Sequence, residues 1–202
     1  MARNATETRA RLVQAGARLF AEQGVAAAKT RDIVWLAGQA NDSAITYHFG
    51  SREGLLEAIL RAGMDRMEPV RASADLAGAD VRGVVAAIVE PIAAELETEE
   101  GRDFLRVVAQ VSGQAGVRTR EAPPFLAGTE IARQLSVLEK SLAARLPEPV
   151  ALERVAALIA FLTAALADRA ARPEPHLLPH AAFTADLTAM LSAALQAPPP
   201  PL

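Results

Sequence analysis

Residues 30–53, TRDIVWLAGQANDSAITYHFGSRE, decide the fold of this chain. They contain two short helical patterns separated by a turn that includes Gly38, and the second pattern ends in the run Tyr47-His48-Phe49. Two helices joined by a short turn with glycine form a helix-turn-helix, whose second helix enters the major groove of DNA. The stretch therefore predicts a recognition helix that begins near Asn41, followed by a helix that Ser51 caps.

The composition is that of a globular helical protein. Of the 202 residues, 51% are hydrophobic and 22% are charged, which is enough apolar material for a core. Alanine and leucine dominate and β-branched runs are scarce, so we expect an all-α fold. The chain has no cysteine, which excludes disulfides and thiolate metal sites and favours a cytoplasmic location. The polar first ten residues do not suggest a signal peptide.

Charge is distributed unevenly along the chain. The first 62 residues carry eight basic and six acidic side chains, whereas the whole chain has a net charge of −3. A slightly basic beginning and an acidic remainder suit a protein that touches DNA at one end only. The longest apolar run, residues 155–167, has 13 residues, and a bilayer span needs about 20. We therefore expect a buried helix there and no membrane partner.

The periodicity predicts about nine helices in two domains. The helices are expected over residues 6–23, 30–37, 41–49, 51–67, 81–98, 102–113, 125–146, 150–171 and 179–196. A helix-turn-helix domain over residues 1–50, which we call the head, is expected to join through helix 51–67 to a larger domain over 68–197, which we call the body. Residues 198–202 are a proline-rich tail, and the small, polar and mixed residues from Pro69 to Asp80 predict the joint.

The candidate base contacts lie at the start of the recognition helix. They are the short polar residues Asn41, Asp42, Ser43 and Thr46, which can accept from or donate to base edges. The alternative is that Asn41, Asp42 and Ser43 only cap the helix. No arginine fork for guanine is present, so weak contacts and DNA shape are expected to contribute to readout.

The candidate phosphate contacts flank that helix. Thr30 and Arg31 begin the preceding helix, and Ser51 and Arg52 begin the following one, where backbone amides favour an anion. Tyr47 and His48 end the recognition helix; packing against neighbouring helices is the alternative for both. The spacing of Trp35 places it on the outer side of its helix, where packing is the favoured role.

Three linked motifs resemble the DNA-binding domain of TetR-type transcriptional regulators. They are residues 19–24 (LFAEQG), residues 30–33 with Ala37-Gly38, and residues 47–53 (YHFGSRE). The resemblance covers about residues 6–62 and implies phosphate contacts by Thr30, Tyr47 and Arg52, with residues 41–48 facing bases. The chain departs from the family in a recognition segment that is one residue longer and in Asp42, which replaces a basic residue.

The last two helices carry apolar stripes that favour pairing of two chains. The predicted interface consists of Leu152, Val155, Ile159, Leu162, Leu166, Phe183, Leu187, Met190 and Leu191. Alanines between them allow close helix approach, as in a four-helix bundle built from two chains. An ordinary intrachain core is the alternative. A homodimer also suits a palindromic operator.

The resemblance also implies a ligand-binding body. The candidate pocket residues are Met64, Met67, Phe104, Val108, Val111, Phe125, Leu135 and Phe161, because methionine and phenylalanine surround apolar ligands well. Filling a core is their alternative role. Arg106, Gln110 and Gln114 recur at i, i+4 and i+8 and offer polar anchors, or a solvated helix face.

These features favour a dimeric transcriptional repressor that a small, largely apolar effector releases from double-stranded DNA. An enzyme is disfavoured, because the sequence contains no Glu-x-x-His, no phosphate-cradling glycine loop and no nucleophile elbow. The three histidines show no metal spacing beyond the loose pair His176 and His180, so no metal, cofactor or catalytic residue is predicted. A helical scaffold or ligand-binding protein without specific DNA binding is the remaining alternative.

Overall fold

The computed structural model describes residues 2–41, 43–112, 126–172 and 174–199. This part of the chain contains nine α-helices and no strand, which confirms the all-α prediction. The helices are α1 Ala2–Gln23, α2 Thr30–Leu36, α3 Ala44–Phe49, α4 Arg52–Ala72, α5 Val81–Ala94, α6 Glu99–Ser112, α7 Glu130–Ala143, α8 Glu148–Ala171 and α9 His180–Gln196.

Helices α1 to α3 and the beginning of α4 enclose the core of the head. Its fully buried side chains include Leu12, Phe20, Ile33, Ile45 and Leu55, which are spaced so that each helix turns one apolar face inward. Helix α1 ends where Gly24 takes the left-handed conformation, with φ of 96°, and donates its N–H to the carbonyl of Phe20. The predicted stop at this glycine is correct.

Helix α4 connects the head to the body. The predicted cap is present, because the Oγ of Ser51 accepts the N–H of Gly54 at 3.0 Å. The predicted end near Met67 was wrong, since α4 continues through Pro69 to Ala72. A proline costs a helix about 3 kcal/mol. Met67 before the proline and Arg71 after it are both buried, and the joint begins only at Ser73.

Polar caps moved three further helix ends from their predicted positions. Helix α5 ends at Ala94, short of the predicted 98, and a 3-10 turn over Glu95–Glu97 follows it. The Oγ1 of Thr98 accepts the N–H of Gly101, which starts α6 three residues earlier than predicted. Helix α7 begins at Glu130 because Thr129 caps it. The expectation that Phe125 begins this helix lies outside the described residues.

The body packs around α8, which contacts α6, α7 and α9, while α5 packs against α7 and α9. Leucine side chains of α8 alternate with alanines and enter the core on one side, with Leu158, Leu162 and Leu166 all buried. The other side of α8 is also apolar, so the helix is long and apolar enough by composition to cross a membrane.

Two arginines of α8 bind neighbouring backbone within the fold. The Nη1 of Arg154 donates to the carbonyl of Leu195 at 2.7 Å, and the Nη2 of Arg169 donates to the carbonyl of Leu178 at 2.7 Å. Arg169 is buried and its guanidinium carbon lies 4.3 Å from the ring centre of Phe183. These contacts fasten α9 and the segment before it to α8, which is the packing of a helix inside a bundle.

Candidate nucleic-acid interface

The centre of the candidate interface is α3, which has only six residues. Ile45 is 2% exposed and is the buried anchor of this helix, whereas Thr46 is exposed and Tyr47 is 81% exposed. At 81% exposure, the ring of Tyr47 is not buried against the neighbouring helices. Of the two roles considered for Tyr47, packing is therefore excluded and an outward role remains.

The approach to α3 is organised by Asn41. Its Oδ1 accepts the N–H of Ser43 at 3.0 Å and the Oγ–H of Ser43 at 2.8 Å. This is an Asx turn, a common alternative to a helix cap. Ser43 occupies the cap position without a capping bond of its own, so the predicted cap at Asn41 or Asp42 was one or two residues early. Asn41 and Ser43 remain exposed, and Asp42 lies outside the described residues.

The end of α3 is an aromatic cluster. The rings of Tyr47 and His48 meet edge to face at 4.9 Å, and the rings of His48 and Phe49 are tilted at 6.2 Å. The guanidinium of Arg9 in α1 lies 5.0 Å from the ring centre of Phe49. His48 and Phe49 are half-buried, so His48 combines packing with partial exposure and Phe49 holds α3 against α1.

Two glycines allow the sharp passage from α3 into α4. Gly50 ends α3 with φ of 76°, which a side chain would strain. A Cβ on Gly54 would lie 2.1 Å from the carbonyl oxygen of Phe49. Close approach of the two helices therefore requires glycine at position 54. The sequence analysis did not identify this requirement, which depends on a backbone contact five residues away.

Arg52 was predicted to hold a phosphate, and the structure places its guanidinium elsewhere. The Nη2 of Arg52 donates to the carbonyl of Val25 at 2.5 Å, and its guanidinium carbon lies 4.9 Å from the ring centre of Phe20. Both partners belong to α1 and the α1–α2 connection. The guanidinium is therefore engaged inside the protein, and Arg52 acts as a positioning residue for the head.

Gln110 of α6 reaches the same connection from the body. Its Oε1 accepts the N–H of Val25 at 2.7 Å, and its Nε2 donates to the carbonyl of Phe20 at 3.0 Å. Its predicted role as a ligand anchor is thus replaced by a link between body and head. Beside it, a recess of about 580 Å³ lies between the two, lined by Phe20, Gln23, Gly24, Val25, Ala26, Ala27, Arg52, Glu53, Leu56 and Gln110. Gln114 lies outside the described residues.

The beginning of α2 offers a smaller set of polar groups. Lys29 occupies the cap position, so Thr30 is the first helical residue and not the predicted cap. Thr30 is half-buried and Arg31 is exposed. Trp35 is 78% exposed, which excludes the packing role expected for it within the chain.

The candidate pocket residues do not share one environment. Met67 and Phe104 are buried in the core, whereas Phe161 is 50% exposed on the outer side of α8 and was therefore assigned wrongly. Met64, Val108, Val111 and Leu135 are half-buried, and Phe125 lies outside the described residues. Gly63 lets α6 approach α4, since a Cβ there would lie 2.2 Å from the ring of Phe104.

The predicted dimer stripe needs correction. Val155, Leu162, Leu166, Leu187 and Leu191 are buried in the core of the single chain, so the intrachain alternative holds for them. Leu152, Ile159 and Phe183 are half-buried, and Met190 is 46% exposed. The outward side of α8 and α9 consists instead of small residues, two large apolar ones and exposed acids. The small and large residues are Ala157, Ala160, Phe161, Ala164, Ala182, Ala185, Met190 and Ala193, and the acids are Glu153, Asp168 and Asp186.

The described residues contain no group of three acidic or histidine side chains that could hold a metal ion. His176 is half-buried and its Nε2 lies 3.0 Å from the Oε1 of Glu174, while His180 begins α9.

Helices α2 and α3 and the turn between them form a helix-turn-helix. Residues 12–59 match the family model of bacterial regulatory proteins of the tetR family. Comparison with curated proteins finds no significant match. The match lies at the residues where the sequence resembles that family.

Solved structures extend the similarity over the whole chain. A transcriptional regulator from Rhodococcus sp. Rha1 is 24% identical to this chain with a TM-score of 0.58. The aligned region covers 93% of this chain and 96% of the regulator's chain. A TetR-like regulator from Rhodococcus sp. RHA1 is 14% identical with a TM-score of 0.62 and 93% coverage of both chains. A TetR variant from Acinetobacter baumannii AYE, in complex with minocycline, is 17% identical with a TM-score of 0.55, and covers 91% and 92%. At these identities the likeness establishes the fold, which is that of TetR-type regulators.

Proposed function

We propose that this protein is a dimeric transcriptional repressor that binds a palindromic operator through α3 and is released by a small-molecule effector. The observation that carries the proposal is the division of α3 into one buried anchor, Ile45, and an exposed side with Thr46 and Tyr47. An exposed polar and aromatic side on a helix held by its opposite side suits insertion into the major groove. A cytoplasmic location agrees with this role.

The DNA contacts fall into two groups in this proposal. Asn41, Asp42, Ser43, Thr46 and His48 face base edges, and Thr30, Arg31, Tyr47 and Ser51 contact phosphates. Arg52 contributes indirectly, because its guanidinium holds the carbonyl of Val25. We therefore remove Arg52 from the phosphate contacts.

A second copy of the chain is proposed to cover the outward side of α8 and α9. This surface is rich in alanine, and Phe161 and Met190 on it are about half exposed. Alanines allow helix axes to approach closely, and an exposed apolar surface of this kind marks an interaction site. The same arrangement places two heads on one assembly, as a palindromic operator requires.

Phe161→Asp and Met190→Asp test the dimer. Each is expected to convert a dimer into a monomer in sedimentation analysis, because a buried carboxylate without a partner is strongly unfavourable. Leu177→Asp is the control, since Leu177 is 97% exposed and lies between α8 and α9, outside this surface. A wild-type chain that is monomeric at micromolar concentration excludes the dimer.

The DNA-binding role is tested with duplexes selected by the purified protein from a random-sequence library. Affinity is expected to fall steeply between 50 and 200 mM salt, by about 10³-fold or more if six phosphates are contacted. Tyr47→Ala is expected to weaken binding to all duplexes, and Thr46→Ala to change the preferred sequence. Failure to select any duplex, or an affinity that salt does not change, contradicts the regulator and favours a scaffold without specific DNA binding.

Helix α4 provides the proposed connection between effector and DNA. It begins in the head at Arg52 and ends in the body at Ala72, while α6 holds the head through Gln110. An effector that binds one arrangement of α4 and α6 more tightly than another shifts the separation of the two heads. The expected measurement is loss of operator binding when the effector is added.

A further inference from the structure

Arg71 is the most deeply buried charged side chain of the described residues. It lies on the last turn of α4 and is 2% exposed. A buried guanidinium is ordinarily paired with a carboxylate, because an isolated buried charge is strongly unfavourable. None of the carboxylates that the structure describes forms an ion pair with Arg71. Among the described carboxylates, Glu68 offsets part of this charge through space, without an ion pair.

Among the described residues, the side chains that bond to this guanidinium are neutral acceptors. The Nη1 of Arg71 donates to the Oε1 of Gln134 at 2.6 Å, and its Nη2 lies 3.7 Å from the Sδ of Met67. A thioether sulfur is a weak acceptor. The neighbouring acid, Glu68, directs its Oε1 to the N–H of Glu130 at 2.6 Å, so it caps α7 rather than Arg71.

Gln134 of α7 is the second unusual residue. It is 0% exposed, and its Nε2 is the buried side-chain nitrogen that finds no hydrogen-bond partner among the described residues. The orientation of the amide follows from Arg71, because a guanidinium can only donate and so requires the Oε1. The two N–H groups of Gln134 must therefore point away from Arg71 with no acceptor.

Together these two residues form a buried site with donors only. Burial lowers the pKa of Arg71 to about 10, so the guanidinium is still charged at neutral pH. One positive charge and several unfilled N–H groups complement a single negative charge on two oxygens. A carboxylate has this charge and these oxygens, and a guanidinium binds it in bidentate geometry, through two parallel hydrogen bonds.

The surroundings indicate what kind of molecule would carry the carboxylate. Met67 and Leu138, one turn from Arg71 and Gln134 on their helices, are buried apolar side chains. Leu135, next to Gln134, is half-buried. Met67 and Leu135 also belong to the pocket predicted from the sequence. A methionine side chain is flexible and can give way to a ligand.

We propose that Arg71 and Gln134 bind the carboxylate of an effector whose remaining part is apolar, with Met67 moving aside. The inference rests on the proposed function, since it names the chemical class of the effector. The carboxylate would bind to the last turn of α4, and the other end of this helix begins in the head. Binding there favours one position of α4 over another, as release from DNA requires.

The test is thermal unfolding of the full chain with sodium octanoate and sodium benzoate as probes. Octanamide and benzamide replace the carboxylate by a neutral amide of the same shape, and sodium chloride is added at equal ionic strength. At a concentration of 100 times Kd, at least one carboxylate is expected to raise Tm by about 5–10 °C. The amides and chloride are expected to raise it by much less.

Three variants assign the effect to the site. Arg71→Met is expected to abolish the rise in Tm, Gln134→Leu to reduce it, and Arg71→Lys to retain part of it. Arg61→Met is the matched control, because Arg61 lies on the same helix with an exposed side chain paired to Glu57. Arg71→Met without probe is expected to unfold within a few degrees of the wild type, since removing the buried charge and freeing the Oε1 of Gln134 act in opposite directions.

The inference is overturned by any of three results with the wild type. These are an equal effect of the amides, an equal effect of chloride, and no rise in Tm with either carboxylate. A carboxylate response that survives in both Arg71→Met and Gln134→Leu also overturns it. Operator binding, measured on the same samples, separates this failure from that of the proposed function. If neutral compounds release the protein from the operator and carboxylates do not, the carboxylate site is refuted while the proposed regulatory function is retained.

Discussion

The polar side chains of α3 are exposed, whereas those between α4 and α7 are buried. On α3, Thr46 and Tyr47 face outward, and folding requires no partner for them. Between α4 and α7, Arg71 and Gln134 are buried together although 63 residues separate them. The exposed polar residues of α3 could be recognised from a few consecutive residues of the sequence. The buried set exists only because two distant helices meet, so local patterns reveal surfaces far better than buried polar sites.

This difference has an energetic side. Substituting an exposed side chain usually changes the free energy of unfolding by no more than about 0.5 kcal/mol, whereas leaving a buried donor unpaired costs about 1–3 kcal/mol. Polar residues of α3 can therefore vary with the DNA sequence at little cost. A buried pair such as Arg71 and Gln134 lowers stability unless a ligand binds, which is consistent with the role proposed for it.

The largest effect is expected from Ile45→Ala, which removes the buried anchor of α3. Truncating a buried isoleucine costs about 2–5 kcal/mol of unfolding free energy. DNA affinity is expected to fall with it, because the helix loses its attachment. Tyr47→Ala on the opposite side should leave stability almost unchanged and still weaken DNA binding. Chemical denaturation and DNA titration of both variants measure this. Equal stability losses would remove the distinction between the two sides of α3.

Arg52→Ala is expected to have the next largest effect. The variant loses a charge-assisted hydrogen bond to Val25, which is worth about 1.5–3 kcal/mol. DNA affinity should fall while the dependence of affinity on salt keeps its slope, because Arg52 positions the head without touching DNA. Titrations at several salt concentrations provide the measurement. A slope reduced by about one unit would instead show a direct phosphate contact.

Gly54→Ala tests the close approach of α3 and α4. The new Cβ would meet the carbonyl oxygen of Phe49 at 2.1 Å, so the two helices must separate. Overpacking of this kind costs about 1–3 kcal/mol, measured by denaturation. Gly83→Ala is the control, because a Cβ there meets its nearest neighbour at 3.4 Å. Similar losses at both positions would mean that the approach of the helices does not require glycine 54.

The smallest effect is expected at Asp103, which lies between the exposed and buried extremes. Burial raises the pKa of this carboxyl, while Arg106 opposes the shift. A raised folded-state pKa means that stability is lost as pH rises through that pKa. Asp103→Asn should therefore stabilise the protein at pH 7 by less than about 1 kcal/mol and flatten its pH profile. Denaturation from pH 4 to 7 measures this, with exposed Asp65→Asn as the control. The assignment is wrong if the free energy of unfolding of the wild type rises from pH 4 to 7 and Asp103→Asn removes that rise.

The head was largely predictable because its signals are local. Ile33 and Ile45 were expected to face inward and are buried, and Ser51 caps α4 as predicted. The errors in the head have a common origin. The guanidinium of Arg52 bonds to a carbonyl 27 residues away, and Trp35 is 78% exposed instead of packed. Neither outcome can be read from the spacing of residues along one helix.

The body was less predictable because its helices are apolar on more than one side. The heptad-like spacing of Val155, Leu162 and Leu166 suits an interchain seam and an intrachain core equally well. Only the packing of α6, α7 and α9 around α8 shows that these residues fill the core of one chain. The alanines around Phe161 were then left facing outward.

The sequence by itself determined that the chain is helical, where the helix-turn-helix lies and which side of each short helix faces inward. These properties arise from caps, glycine stops and apolar periodicity, all of which act within one or two helical turns. The tertiary structure alone decided that Arg52 and Gln110 hold the α1–α2 connection and that Arg71 meets Gln134. A buried polar group is defined by the partner that reaches it, and for these residues the partner comes from a distant part of the chain.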